Sequence, residues 1–326
     1  MSKRTYTSSF AKLINEFLDF RSAQGYQITN HERYLRRFDS YCARVQLNEH
    51  NLTRETVHSW LDDEFNNGYV DLAGRSRAIR QFANYILAMG GEAYVISADY
   101  YDYNHSFVPY ILSSKELSAF FSVADELEPW HLCDKFSLSV APVVFRLMYT
   151  SGLRPSEARG LLDTDIDFAT GEVTIKKNKR RKTRTIVVSD DMLRLLIEYK
   201  KQKEELFVRT SFLFPRIDGS AYTDLQLREL FSRCWKLANP NVNSDDLPRV
   251  RPYDLRHTFA SSILQKWIDD GQDLFTMLPY LRSYMGHEHF SDTAYYIHIL
   301  PDRIISSPGI DWSKIDSVVP EVSIWN

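Results

Sequence analysis

Arg154, Arg256, His287 and Tyr296 are spread over the last two thirds of a 326-residue chain, yet each sits inside a short motif. The motifs read SGLRPSEA (Ser151 to Ala158), YDLRHTFAS (Tyr253 to Ser261) and YMGHEHFSDTAYYIH (Tyr284 to His298). Cleaving a phosphodiester without a metal takes a nucleophile, donors for the non-bridging oxygens and an acid for the leaving oxygen. Guanidinium groups are planar, keep their charge at any physiological pH and donate two parallel bonds to phosphate, so Arg154 and Arg256 suit the oxygens, with His287 as a further donor. Tyr296 offers a nucleophilic oxygen, although a phenol with a pKa near 10 is ionised in only roughly one molecule in a thousand at pH 7. A lysine on a β turn can reach the leaving oxygen and donate a proton, which draws attention to Lys179.

These residues need a scaffold, and the composition describes one. Hydrophobic content of 44% and charged content of 25% belong to a soluble globular protein. The length favours two domains over one. Cys42, Cys133 and Cys234 lie far apart with no metal-type spacing, as expected of core thiols in a reducing compartment. The N-terminus lacks a signal-peptide run, and no window approaches the roughly 18 apolar residues of a membrane span. A cytoplasmic protein with no membrane partner is therefore expected. The formal net charge of −3 speaks mildly against a nucleic-acid partner, but seven Lys or Arg residues and no acid fall between Val173 and Ser189.

Residues 1–91 read as a small four-helix domain. Phe10, Leu13, Ile14, Phe17 and Leu18 recur at helical spacing, as do Tyr34, Leu35, Phe38, Tyr41 and Cys42 after a Thr29 to Glu32 capping box. A third helix follows Thr53, and a fourth, carrying Ile79, Phe82, Ala83, Ile86 and Leu87, stops at Gly90-Gly91. Residues 92–112, with scattered tyrosines and Pro109, read as a linker, and periodicity resumes after a Ser113 to Glu116 capping box. The second domain, 113–326, reads as mostly helical with one short β section, EVTIKK and RTIVVS, flanking the basic turn. Its tail, about 301–326, is apolar enough to dock on its own domain or on a neighbouring subunit.

With these motifs in view, the chain resembles the tyrosine recombinases of the phage integrase family over about residues 113–300. SGLRPSEA resembles the first arginine box, which makes Arg154 a ligand of the scissile phosphate and Glu157 a support for catalytic side chains. YDLRHTFAS resembles the second box, with Arg256 as second phosphate ligand. MGH is similar to the family's Leu-Gly-His and gives His287; AYYIHI is similar to its Tyr-Thr-His ending and gives Tyr296 as nucleophile. IKKNKRRKTRTIVVS resembles the β hairpin that presents the catalytic lysine, where Lys179 aligns best. The resemblance implies a mainly α fold: a four-helix, SAM-like core-binding domain and a mixed α+β catalytic domain with a short β-sheet. It also implies double-stranded DNA as partner, a homo-tetramer on two DNA sites, accessory recombination proteins in some systems, a nucleoid location, and no cofactor or metal. One departure stands out: Tyr253 holds the place of the box's usual His, and a phenol does not become a cation near neutral pH.

Taken singly, each signal is ordinary. An Arg in a turn is usually a surface charge, a Tyr a packed aromatic, and a basic run a solvated turn. His287, His289 and His298 lack the carboxylate or cysteine that would complete a familiar metal set. Only the joint order and spacing of the motifs favour a site. Site-specific recombination through a 3′-phosphotyrosine, serving integration, excision or transposition of a mobile element, is the expected function. A type IB topoisomerase shares the chemistry, and a catalytically inactive DNA-binding protein is the reading that Tyr253 motivates. Tyr295, next to Tyr296, points about 100° away on a helix, so only one of the two can face a phosphate.

Overall fold

The computed structural model describes residues 5–47, 51–69, 71–100, 108–129, 135–176, 183–205 and 210–298, which fall into two compact units, 5–100 and 108–298. Lys179, Cys133 and the apolar tail lie outside the described residues.

The first unit is four helices: α1 (Ala11–Ala23), α2 (Thr29–Arg44), α3 (Arg54–Asn66) and α4 (Leu72–Ala88). Each turns an apolar stripe inward. Phe10, Phe38, Phe82 and Trp60 meet at its centre, with ring centroids 5.4 Å apart for Phe10 and Phe38 and 5.3 Å for Phe38 and Trp60. Such tilted and edge-on aromatic contacts stabilise a core beyond the area they bury. Thr53 caps α3 by accepting a bond from the Thr56 amide, and Asp71 caps α4 by accepting one from Gly74. The Thr29 to Glu32 capping box does not form. Helical backbone already begins at Ile28, so Thr29 is spent as the first helical residue and caps nothing. The chain after Gly91 still belongs to this core: the Tyr94 amide bonds to the Leu52 carbonyl at 2.7 Å and Ile96 is buried.

The second unit holds α5 (Ser114–Asp125), α6 (Lys135–Ser151), α7 (Pro155–Ala158), β1 (Glu172–Lys176), β2 (Thr183–Val187), α8 (Asp190–Glu205), α9 (Asp224–Ala238), α10 (Pro252–Asp269), α11 (Leu274–Met285) and α12 (Ser291–His298). The Ser113 to Glu116 capping box opens α5, and Thr223 with Gln226 does the same for α9. β1 and β2 pair antiparallel, with Ile175 opposite Arg184 and Val173 opposite Ile186. A main core gathers Phe120, Phe145 and Phe231 from α5, α6 and α9 with the inward faces of both strands. A second, smaller core joins α10, α11 and α12 through Phe259, Leu264, Leu278, Met285 and Ile297.

Helix α10 belongs to both cores. Leu255 faces the larger one while Phe259, Ala260 and Leu264 face the smaller. The Thr258 hydroxyl donates to the Asp254 carbonyl and accepts from the Leu112 amide, fixing the chain that enters α5. The first two turns of α10 are thereby clamped on two sides. Those turns carry Tyr253, Arg256 and His257.

Candidate active site

The C-terminus of α11 organises the site. A helix leaves its last carbonyls without amide partners and carries partial negative charge at that end. Here three consecutive carbonyls each receive one guanidinium: Tyr284 from Arg184 at 2.9 Å, Met285 from Arg256 at 2.9 Å and Gly286 from Arg154 at 3.2 Å. Gly286 ends the helix in the left-handed conformation, φ 65°, and a Cβ there would stand 2.8 Å from the Arg184 guanidinium. Both the backbone angle and the close approach require glycine.

Arg154 sits at the N-cap of α7, and Pro155 opens the helix after it. Its amide donates to Glu157 Oε2 at 3.0 Å and its guanidinium to Oε1 at 2.9 Å. Arg184 grips both oxygens of the same carboxylate at 2.8 Å. Burial would raise the Glu157 pKa, but the Arg184 and Arg154 contacts overcome it and hold the group down at about 2. Glu157 is therefore a fixed anion that aims two arginines. Tyr253 lies within hydrogen-bonding reach of Arg154.

Arg256 is 0% exposed and forms no ion pair with a carboxylate among the described residues. It donates to the Gly152 and Met285 carbonyls and to His287 Nε2 at 2.7 Å, and its buried Nε has no partner. Burial first, and the nearby Arg154 charge second, lower its pKa from the usual guanidinium value. Because guanidinium only donates, His287 Nε2 must accept, which puts the imidazole proton on Nδ1, facing the Thr293 hydroxyl at 2.7 Å. His287 is thus held neutral and in one tautomer.

Tyr296 lies on α12 with 2% of its surface exposed, whereas Tyr295 is 41% exposed. The Tyr296 ring stacks on His287, with centroids 5.9 Å apart and planes 14° apart, and meets His257 at 5.5 Å. Burial pushes its phenol up to about 12, and the charge and hydrogen bond of Arg256 offset part of that rise. Ionisation ahead of attack would then be rarer than one molecule in roughly 10⁴ at pH 7. An attack through this oxygen requires its proton to be taken during the step.

The structure thus brings Arg154, Glu157, Tyr253, Arg256, His287 and Tyr296 together, and Lys179 falls outside the described residues. Sequence reasoning missed Arg184, counting it only as part of the basic run. The signal was its register: Arg184 shares a strand face with buried Ile186, and a cation on an inward face needs a buried acid. It also missed Thr293, which fixes the His287 tautomer, and His257. Among the described residues, no group of His, Cys, Asp or Glu is arranged to hold a metal, and no helix is long and apolar enough to cross a membrane.

The chain is similar to known proteins in sequence and in fold. A family model described as the phage integrase family matches residues 111–303. An integrase/recombinase of Sinorhizobium fredii is 27% identical over 299 residues, covering 89% of this chain and 93% of that protein. Tyrosine recombinase XerD of Rickettsia bellii is 25% identical over 322 residues, covering 90% and 96%. In fold, the chain is similar to the XerH site-specific recombinase in its post-cleavage complex with palindromic difH substrate, with a TM-score of 0.66 at 18% identity, covering 95% of this chain and 98% of that one. The match spans more than half of the chain, including every motif that builds the site, and the chain belongs to the phage integrase family of tyrosine recombinases, enzymes that cut and rejoin DNA strands.

Proposed function

We propose that this chain recombines double-stranded DNA at defined sites on a mobile element, with Tyr296 as nucleophile. Arg154 and Arg256 bind the non-bridging oxygens of the scissile phosphate, His287 accepts from Arg256 and so orients it toward the phosphate, and Lys179 protonates the leaving 5′ oxygen. Glu157 and Tyr253 orient Arg154. Attack gives a 3′-phosphotyrosine and a free 5′ hydroxyl, and the hydroxyl of a partner strand reverses the step. Each exchange replaces one phosphate ester by another, so bond energy is conserved and no nucleotide is spent.

The observation that carries this reading is a charge imbalance. Three guanidinium groups, of Arg154, Arg184 and Arg256, converge on the C-terminus of α11 with one carboxylate, Glu157, among them, which leaves an excess of two positive charges beside a buried phenol. Burying an uncompensated cation costs several kcal/mol, about what an arriving phosphodiester would return. The same reading assigns DNA contacts to the four-helix unit, a homo-tetramer on two duplexes, exchange of the tail beyond residue 300 between neighbours, and a place at the nucleoid.

A nicked suicide DNA substrate tests the chemistry on a denaturing gel, with chelator present. Wild type is expected to form a covalent adduct; Tyr296→Phe is expected to form none while binding DNA as before. An adduct that survives Tyr296→Phe and disappears in Tyr295→Phe would move the nucleophile to the neighbouring residue. No adduct from wild type would leave a DNA-binding protein without this activity.

A further inference from the structure

The phenol proton of Tyr296 must go somewhere, and the groups around it are mostly committed. Glu157 is held by two arginines, and the Nε2 lone pair of His287 accepts from Arg256. Tyr253 is itself a phenol. His257 is different. Its ring packs against Tyr296 at 5.5 Å and against Tyr253, one helical turn earlier, at 5.0 Å, and its buried Nδ1 has no hydrogen-bond partner among the described residues. Leaving a buried imidazole nitrogen without a partner is unfavourable, so its presence calls for a use.

We propose that His257 is the proton acceptor for Tyr296: as the Tyr296 oxygen bonds to phosphorus, its O–H bond breaks and an N–H bond forms on the His257 imidazole. The P–O5′ bond breaks with the electron pair leaving on the 5′ oxygen, which takes a separate proton from the acid. In religation the imidazolium returns its proton to the departing phenol oxygen, so each cycle leaves His257 unchanged.

The surroundings fit this use. Burial first, then the charges of Arg256 and Arg251, bring the His257 pKa down to about 4, so the ring is unprotonated and able to accept at neutral pH. A phosphodiester anion bound at Arg256 opposes those two charges and raises its basicity at the moment of attack. His257 and Tyr253 also line a cavity of about 370 Å³ with Arg228 and Asp224, which leaves room for a small base to enter beside the ring.

The inference rests on Tyr296 being the nucleophile, and the experiment separates the two. Wild type, His257→Gln and His257→Ala are compared for DNA binding and for the rate of adduct formation on the suicide substrate and on its 5′-bridging phosphorothiolate analogue. That sulfur leaving group needs no acid. His257→Gln is expected to bind DNA as wild type does and to cleave both substrates about 100-fold more slowly. Lys179→Ala is expected to recover on the sulfur substrate. Added imidazole is expected to restore part of the His257→Ala rate through the adjoining cavity. Wild-type cleavage rates in His257→Gln overturn the inference, as does recovery on the sulfur substrate, which would place His257 on the leaving-group side. Loss of DNA binding together with cleavage would assign His257 to structure and also overturn it. Failure of wild type to form any adduct would instead remove the underlying reading of Tyr296.

Discussion

Two clusters in this molecule share one plan and differ in how they end. In the four-helix unit, buried Glu64 accepts Arg37 Nε at 2.8 Å and is also bonded by Arg75. In the second unit, buried Glu157 accepts Arg154 and Arg184. The first cluster is closed. Asp71 adds a second carboxylate beside Arg75, the Asp71 carbonyl takes the other side of the Arg75 guanidinium at 2.6 Å, and the Tyr69 ring covers both arginines, with Arg37 at 3.5 Å and Arg75 at 5.1 Å. The second is left open: a third guanidinium, Arg256, is added with no second carboxylate, only carbonyl oxygens and a neutral imidazole. The same ion pair serves as a bolt where charge is balanced and as an anion receptor where it is not.

Removing one arginine from each cluster tests that contrast, and the largest effect is expected here. Arg256→Ala removes a phosphate donor and a tenant of the α11 C-terminus, so adduct formation on the suicide substrate should fall roughly 10³-fold. Its unfolding midpoint should fall less than that of Arg75→Ala, since it leaves neutral acceptors rather than a buried carboxylate without a donor. Arg75→Ala should do the reverse, destabilising the four-helix unit by about 3–5 kcal/mol because Glu64 loses a partner that burial makes necessary. Adduct formation well below its unfolding midpoint should be retained. Equal losses of stability in the two variants, read by urea denaturation, would erase the distinction between bolt and receptor.

A smaller effect should come from pH. The folded Glu157 carboxyl, at about 2, lies below its ordinary value of 4.5. A depressed carboxyl contributes stability that is complete above about pH 4.5 and is lost as pH falls toward 2. Glu157→Gln should therefore be less stable than wild type at pH 7, with the gap closing between pH 4.5 and 2. His257 adds acid sensitivity at higher pH: its folded value of about 4 lies below 6.5, so the unfolded chain takes up the proton first and stability falls between those values. His257→Gln should flatten that part of the curve. A gap between Glu157→Gln and wild type that widens on acidification would contradict the sign.

The sequence carried much of this, unevenly. The four helices of the first unit, the Ser113 capping box and the strand pair around the basic turn follow local rules of periodicity and capping, and they stand where those rules put them. Thr29 to Glu32 failed as a cap because a Ser/Thr-x-x-Glu pattern does not fix where helical backbone begins, and Ile28 was already in it. In the site, Arg154, Arg256, His287 and Tyr296 were legible because each has a motif. Arg184, Thr293 and His257 were not, because their roles depend on partners 27, 6 and 39 residues away, brought near only by packing. The carbonyl row of Tyr284, Met285 and Gly286 was hidden for another reason: backbone acceptors leave no mark in residue type.

The smallest expected effect sharpens the contrast from inside the open cluster. Tyr253 and His257 lie one turn apart on α10 and pack ring to ring at 5.0 Å, and the His257 ring packs in turn against Tyr296. Tyr253→His places an imidazole within reach of Arg154 and one helical turn from His257, adding a second candidate base to the cluster. If His257 already takes the phenol proton, the new base is redundant and the adduct rate should change less than about tenfold. In a His257→Gln background the same substitution should matter far more, recovering a large part of the lost rate. The coupling between positions 253 and 257, read as a double-mutant cycle on the suicide substrate, distinguishes a shared proton path from two independent contacts: additive effects would mean that the two side chains only pack.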